Sequence, residues 1–490
     1  MTPSAPAGPS GPVRLDSDRA TGSRPGDAPR PVRRNARYTP LAADGPLPAD
    51  MLRAVPTIRR DPLAFLEATV ARYGDLVAFP MPRTPVLLVN TPAGARRVLQ
   101  DNHRGYGKRT VQYGALSLVT GAGLLTSDGD LWRRRRRIAQ PAFHHGRLDA
   151  VAEQAAAAGT SMAASWTAAP GRTVDVDRAA LRTMLEVVGR TLFAADLAAD
   201  GERVVEAVDA ALQAVVTRAR SPLPAVLPGW LPTPSRRRLR HAVATLDDAC
   251  LGVVRRRRAA GLSAADDDVL ALLLRAADAD GGLEEREVRD ELVTLVIAGH
   301  ETVASCLTWT LLLLARHPQV QDRVAAELDA LPVEAAGWAE LPALPYTRAV
   351  VDEALRLYPP AWVVTRRALA DDVVDGVAVP AGTLVVLSPW LLHRRAASWP
   401  DPGRFDPERF LASDAVGSPR GAFRGDYLPF GAGPRLCIGR DVALVQAVLI
   451  LAALLRGRRV VLPDAAVPVR VDALVTLRPR GGLPLRLVPR

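Results

Sequence analysis

The chain has 490 residues, of which 48% are apolar and 23% are charged, and its formal net charge is +11. These fractions are typical of a soluble globular protein with a large buried core. Three widely separated cysteines exclude a disulfide framework and favour a reducing cytoplasm. The arginines are spread along the whole length without a nucleic-acid-binding signature, so nucleic acid is not a predicted partner.

The N-terminal residues 1–45 form a compositionally distinct segment. They are rich in Pro, Gly, Ser and Ala and almost lack large apolar side chains. Such a segment cannot bury enough surface to offset its ordering entropy, so a disordered tail is predicted. It also lacks the apolar core of a signal peptide, and secretion is therefore not expected. The remaining residues, 46–490, are predicted to form a single domain.

The first part of this domain combines helix with a small amount of strand. The pattern of 61–74 predicts a helix, and 76–90 predicts a hairpin of two short strands. Helical periodicity then dominates from about 127 to 358, with a break at the proline-rich segment 221–235. Short strands follow, so the predicted fold is mainly α with a small β part.

Two apolar stretches resemble membrane spans. Residues 442–455 are too few to cross a bilayer, and a buried helix is predicted there. Residues 291–318 are numerous enough, but His300 and Glu301 lie near the middle, where ionisable groups are costly in lipid. A long core helix is therefore predicted there, and no transmembrane segment is expected.

One cysteine lies in an unusually glycine-rich turn, "FGAGPRLCIG", residues 430–439. Gly431 and Gly433 permit positive φ and close backbone approach, and exposed N–H groups in such a loop can hold a thiolate. A helix is predicted to begin just after Cys437, which places its positive dipole end near the sulfur. A metal-ligating thiolate is the favoured interpretation, because a structural cysteine does not need this density of glycine.

The same ten residues match the haem-binding signature Phe-x-x-Gly-x-Arg-x-Cys-x-Gly, and the chain therefore resembles the cytochromes P-450. The resemblance covers roughly residues 50–490. It implies a single triangular, predominantly α domain that encloses haem b, iron protoporphyrin IX. It also implies that Cys437 is the axial iron ligand, and that Phe430 and Arg435 lie beside the cofactor.

Further matches imply more cofactor contacts. Trp132 and Arg136 fit the family's Trp-x-x-x-Arg, which binds a haem propionate from a helix. Arg367 fits the strand arginine that grips a propionate, and its neighbour Arg366 is the alternative assignment.

A second set of matches implies a folding role. In "EALR", Glu353 and Arg356 are three residues apart on a helix and can pair. The resemblance implies that Arg409 of "FDPERF" joins them in a buried network behind the haem.

The segment "AGHET", Ala298 to Thr302, carries the candidate catalytic residues. In the family this segment crosses the oxygen-binding face of the haem, the threonine helps to hold oxygen and water, and the acid takes part in proton delivery. Thr302 and Glu301 are the corresponding residues here. The alternative is a core helix with incidental polar residues.

The resemblance implies substrate contacts in several segments of the chain, and the side chains in these segments are mainly small or aliphatic. They are the loop near 106–120, the loop 221–235, Ala298, Thr302, Val363, Val364 and the segment around Leu474. No carboxylate-binding Arg or Lys stands out among them. A lipophilic neutral molecule is therefore expected, with a terpenoid ranked first and a fatty acid or polyketide next.

The implied activity is that of a cytoplasmic monooxygenase that inserts one atom of O2 into a C–H bond. The chain ends about fifty residues after Cys437 without a flavin or iron–sulfur segment, so a separate ferredoxin and NAD(P)H-dependent ferredoxin reductase are the expected electron donors. Arg133 to Arg137 can attract such an acidic partner, although for Arg133 and Arg134 a solvated basic helix face is at least as good an interpretation.

Three alternatives to this activity stay open. A peroxide-driven peroxygenase or a non-catalytic haem-thiolate sensor or carrier would not need the acid–threonine pair. A rearrangement or coupling reaction without net hydroxylation is the third.

Overall fold

The computed structural model describes residues 41–81, 84–168, 171–195, 201–220, 233–279, 282–411, 425–464 and 468–490. Most of the predicted tail (1–40) and most of the proline-rich loop (221–232) lie outside the described residues. The described residues all belong to one compact unit, Pro40–Arg490. The predicted division at residue 45 stays a prediction.

Helices make up most of the described structure. They are α1 (Pro48–Arg60), α2 (Pro62–Tyr73), α3 (Pro92–Arg96), α4 (Val111–Thr120), α5 (Gly129–Ala139), α6 (Leu148–Thr167), α7 (Val176–Phe193), α8 (Gly201–Arg220), α9 (Pro234–Ala260), α10 (Val269–Asp278), α11 (Glu285–Arg316), α12 (Pro318–Asp329), α13 (Pro345–Leu357), α14 (Pro389–Leu392) and α15 (Arg440–Leu455). The predicted mainly α fold with a small β part is confirmed.

The strands form small sheets. They are β1 (Leu76–Phe79), β2 (Val86–Val89), β3 (Tyr106–Gly107), β4 (Thr173–Asp175), β5 (Val364–Ala368), β6 (Asp372–Val374), β7 (Val377–Val379), β8 (Leu384–Leu387), β9 (Arg458–Val461), β10 (Val471–Ala473), β11 (Leu477–Pro479) and β12 (Pro484–Pro489). The largest sheet has the order β1-β2-β8-β5-β3, and β1 pairs with β2 antiparallel as the predicted hairpin. Strands β10 and β11 form a second hairpin near the C-terminus, with Val471 opposite Pro479.

Helix α11 runs through the core. Among the described residues, α11 is the one helix that is long and apolar enough to span a membrane. However, 83% of its most apolar stretch is buried inside the protein. This agrees with the predicted core helix, since a helix that is apolar all round is buried by its neighbours.

Helix α15 is also buried and packs against α6. A Cβ at Gly159 of α6 would lie 2.8 Å from the Cβ of Ala453 and 2.9 Å from the backbone of Ile450, both on α15. Only glycine permits this close approach. The contact fixes the helix that follows the Cys437 loop against the core.

Candidate active site

The loop that carries Cys437 is closed by backbone contacts. The N–H of Cys437 donates to the carbonyl of Phe430 at 2.9 Å. Gly433 has a φ of +66°, and a Cβ there would lie 2.1 Å from the carbonyl oxygen of Leu99. Only glycine fits at this position. The loop presents the Cys437 side chain to an internal cavity, so the residue is exposed to that cavity although protein surrounds it.

Opposing effects act on the Cys437 thiol. Burial raises its pKa, whereas the N–H of Gly439 and the guanidinium of Arg136 counteract this rise. Coordination to a metal ion would deprotonate the thiol outright. Among the described residues no three His, Cys, Asp or Glu side chains cluster as a metal site. A metal ion at Cys437 would therefore take its other ligands from a cofactor.

The cavity wall next to this loop is rich in basic side chains: Lys108, Arg136, Arg366 and Arg435. Arg435 pairs with Asp128, but within the described structure the other three form no ion pair. Buried cations are costly without a counter-charge. The wall therefore fits a group with two carboxylates, such as the propionates of haem.

Lys108 is the residue of this wall that sequence reasoning missed. Its Nζ donates to the carbonyl of Leu125 at 2.8 Å and lies 4.8 Å from the centroid of the Tyr113 ring. Burial, followed by repulsion from Arg366 and Arg435, lowers its pKa well below the usual value. One feature of the sequence could have pointed to this residue: Lys108 is the single lysine in an arginine-rich chain.

The structure corrects the assignment of Arg367. Arg366 lines the cavity and donates to the hydroxyl of Tyr113 at 3.2 Å. Arg367 donates instead to the carbonyls of Arg109 at 2.8 Å and Gly382 at 3.0 Å, away from the cavity. Successive side chains of a strand point to opposite faces, so only one of the two arginines can reach the cavity side.

The other predicted cofactor contacts lie in the cavity wall. Arg136 donates to the carbonyl of Leu436 at 2.9 Å, which ties α5 to the cysteine loop. The guanidinium of Arg435 lies 4.3 Å from the centroid of the Trp132 ring. Phe430 also lines the cavity.

The five consecutive arginines of α5 divide by helix face. Arg135 is buried and pairs with Glu287 at 3.1 Å and Glu291 at 2.7 Å, while Arg136 faces the cavity. The exposed members are Arg133, Arg134 and Arg137. The solvated basic helix face that was the alternative for Arg133 and Arg134 fits their exposure, whereas Arg135 and Arg136 are not available to a partner on that face.

Helix α11 contributes the candidate catalytic pair to the cavity wall. The hydroxyl of Thr302 donates to the carbonyl of Ala298 at 2.8 Å. One oxygen of Glu301 (Oε2) accepts from the hydroxyl of Thr476 at 2.8 Å, and the other (Oε1) lies 3.6 Å from Arg478. Both residues line the cavity, but their side chains do not contact each other by a hydrogen bond in this structure.

The predicted substrate contacts are partly corrected. Ala298, Val363 and Val364 line the cavity. Leu474 does not line it, and its carbonyl accepts from the Trp362 indole at 2.8 Å. The hairpin instead presents its next two residues, Val475 and Thr476, to the cavity. Further aliphatic residues line it: Leu116, Val188, Leu192, Leu212, Leu295 and Ile297.

The pair Glu353 and Arg356 lies outside the cavity, where both side chains are fully buried. Two hydrogen bonds join them, at 2.6 and 2.8 Å, and Arg409 lies 3.5 Å from Glu353. His393 links this network to the cysteine loop, since its Nε2 accepts the Leu428 N–H at 2.7 Å. This geometry suits a role in folding.

Comparisons with known proteins show the family of this chain. The family model described as cytochrome P450 matches residues 45–484. Cyclooctat-9-en-7-ol 5-monooxygenase of Streptomyces melanosporofaciens is 37% identical over 85% of this chain and 88% of its own length. Pentalenene oxygenase of Streptomyces avermitilis is 34% identical over 93% and 99%. The crystal structure of CYP175A1 from Thermus thermophilus aligns with a TM-score of 0.73 at 33% identity, covering 91% of this chain and all of that one.

A cysteine in a glycine-rich loop, next to a cavity whose wall carries several basic side chains, fits a haem-thiolate protein. The chain belongs to the cytochrome P450 family, and it is a monooxygenase that needs a haem cofactor, redox partners and a lipophilic substrate. When bound, the haem supplies the activation of O2.

Proposed function

We propose that this protein hydroxylates a neutral terpenoid in bacterial secondary metabolism. The observation that carries this proposal is the aliphatic lining of the cavity formed by α7, α11 and β5. The basic side chains of the wall cluster near the cysteine loop, where haem propionates would engage them. A fatty-acid carboxylate would compete with the propionates for those cations. Two of the similar proteins are named for terpenoid oxygenation.

In this proposal different residues of the chain bind the cofactor, orient the substrate and transfer protons. Cys437 holds the iron of haem b, and Lys108, Arg136, Arg366 and Arg435 bind the propionates. Trp132 and Phe430 pack beside the cofactor. Ala298, Val363 and Val364 orient the substrate and exclude water from it. Thr302 and Glu301 hold and move protons on the α11 side of the cavity.

Electrons are proposed to come from a ferredoxin and its NAD(P)H-dependent reductase, in the cytoplasm. The exposed arginines of α5 support this, because a positive surface steers an acidic partner towards it. Replacing Arg134 and Arg137 with Gln should slow reduction by ferredoxin, and the difference should shrink at high salt, because ions screen such steering. A rate independent of both changes would remove α5 from the docking surface.

The substrate class is tested by optical titration of the haem-loaded protein. Cyclooctat-9-en-7-ol, pentalenene and palmitate are added separately, and the shift of the main haem absorption band is followed. A terpenoid should shift the band because it would fill the aliphatic cavity beside the haem, whereas palmitate should not. A palmitate-only response would overturn the terpenoid proposal.

The peroxide-driven alternative is tested with the same protein and the substrate that shifts the band. Product should form with ferredoxin, reductase and NAD(P)H, and only slowly with H2O2 alone. Faster turnover with H2O2 than with the electron donors would favour the peroxygenase.

A further inference from the structure

The C-terminal hairpin, residues 471–479, holds the carboxylate of Glu301. The hydroxyl of Thr476, in the loop of this hairpin, donates to Oε2 of Glu301 at 2.8 Å. Nη1 of Arg478, on β11, lies 3.6 Å from Oε1. The hairpin thus contacts both oxygens of the candidate proton donor.

Arg478 is shared among three carboxylates. It donates to Asp177 of α7 at 2.6 and 3.1 Å, and it pairs with Asp209 of α8 as well as with Glu301. Asp177 and Glu301 are buried, whereas the side chain of Asp209 is 35% exposed. One guanidinium carries a single positive charge and cannot neutralise three carboxylates. Its attraction to Glu301 is the weakest of the three, because Glu301 is the most distant.

The hairpin is fixed to α11 on one side and faces the cavity on the other. Ser305 and Trp309 of α11 both donate to the carbonyl of Leu477, at 2.6 and 3.0 Å. Val475 and Thr476 line the cavity. A molecule that fills the cavity next to Val475 and Thr476 would therefore contact the segment that holds Glu301.

The described structure shows no hydrogen bond between the Glu301 carboxyl and the Thr302 hydroxyl. Its Oε1 is buried without a hydrogen-bond partner, and the Thr302 hydroxyl is directed to the carbonyl of Ala298. A rotation of the Glu301 carboxyl towards Thr302 would break its hydrogen bond with Thr476. A stronger hydrogen bond from Thr476 should therefore make proton delivery from Glu301 to Thr302 slower.

We propose that Thr476 and Arg478 are positioning residues that hold Glu301 away from Thr302 until a substrate displaces the loop at Val475 and Thr476. This couples proton delivery to occupancy of the cavity. The inference rests on the proposed role of Glu301.

The test uses the haem-loaded full chain with ferredoxin, reductase and NAD(P)H, first without added substrate. Thr476→Val keeps the shape of the side chain and removes the donor. We expect NAD(P)H oxidation and H2O2 release without substrate to rise about tenfold, the size expected for losing one hydrogen bond to a charged group. Thr476→Ser keeps the hydroxyl and should restore the wild-type rate.

A double variant shows whether Thr476 acts through Glu301. In a Glu301→Gln background, Thr476→Val should cause no further increase, because two changes on one pathway are not additive. Arg480→Gln is the matched control, since Arg480 follows the same hairpin and its exposed side chain lies 3.7 Å from Asp472 rather than beside Glu301. It should leave the background rate unchanged.

A second readout does not depend on turnover. The infrared difference between wild type and Glu301→Gln isolates the carboxylate stretch of Glu301, and Thr476→Val should shift that band whereas Thr476→Ser should not. An unshifted band, or a wild-type background rate in Thr476→Val, would overturn the inference while leaving the role of Glu301 intact. If Glu301→Gln itself produces hydroxylated pentalenene or cyclooctat-9-en-7-ol with wild-type coupling, the proposed role of Glu301 fails and the inference with it.

Discussion

Arg366 and Arg367 are neighbours on β5, yet their guanidinium groups lie on opposite faces of the strand. Arg366 reaches the hydroxyl of Tyr113 in the cavity wall, and Arg367 reaches the carbonyls of Arg109 and Gly382 away from it. The two residues therefore form a natural matched pair, with the same chemistry in adjacent positions.

Arg366→Gln should weaken haem retention, whereas Arg367→Gln should not, because only the first removes a cation from the cavity wall where the propionates are proposed to bind. The measurement is haem content per protein after gel filtration, with melting temperature as a check on folding. Equal haem loss in both variants would return Arg367 to the candidate cofactor contacts.

The rate at which Lys108 is acylated should show whether the haem propionates bind next to it. As the single lysine, it is the one side-chain amine that an acylating reagent can label. Pairing with a carboxylate typically changes a pKa by about 1–3 units, so haem should slow labelling at least about tenfold by raising the pKa of Lys108. Mass spectrometry of apoprotein and haem-loaded protein gives the two rates, with the N-terminal amine as internal reference. Identical rates would place Lys108 away from the propionates.

Breaking the buried pair should be far more damaging than breaking an exposed pair of the same spacing. Arg356→Gln leaves buried Glu353 with the longer ionic contact to Arg409, and breaking a buried pair costs roughly 3–5 kcal/mol. Arg53→Gln breaks the exposed i,i+3 pair with Asp50 in α1, where surface pairs contribute about 0–1 kcal/mol. Urea unfolding gives the free energy of unfolding of each variant. If Arg356→Gln loses no more of it than Arg53→Gln does, the Glu353 network is not a stabilising element.

His393 predicts a loss of stability in acid. Burial lowers its pKa to about 3, and its Nε2 must stay unprotonated to accept the Leu428 N–H. The unfolded chain takes up a proton near pH 6.5 that the folded chain refuses, so this group should lower the free energy of unfolding by about 1.4 kcal/mol per pH unit as pH falls from 6.5 towards 3.

His393→Gln should flatten this dependence, because an amide can accept from Leu428 without titrating. Urea unfolding of wild type and variant at pH 7 and pH 5 gives the two slopes. If the slopes match, the acid sensitivity comes from other groups.

Thr302→Ala should uncouple electron consumption from product formation. The hydroxyl lies in the cavity wall beside the candidate acid, whereas haem binding does not depend on it, so NAD(P)H should be consumed with release of H2O2 instead of product. Thr310→Ala is the control, because Thr310 makes the same kind of bond, to the carbonyl of Cys306 at 2.7 Å, and does not line the cavity. The ratio of product to NAD(P)H is measured for both. Wild-type coupling in Thr302→Ala would exclude Thr302 from proton delivery.

Local patterns were enough to predict much of this protein. The spacing around Cys437, the long apolar stretch of α11 and the hairpin at β1 and β2 depend on residues close together in the chain. Glycine placement, helical periodicity and turn residues carry that information, so the mainly α fold and the cysteine loop followed from the sequence alone.

Side-chain direction was decided only by the tertiary structure. The choice between Arg366 and Arg367 depends on the pairing register of β5, and the choice between Leu474 and Thr476 depends on how the C-terminal hairpin docks on α11. Lys108 acquires its role only because distant arginines converge on the same wall. A one-residue shift turns a strand or loop side chain to the other face, and this is set by packing between segments hundreds of residues apart in the chain.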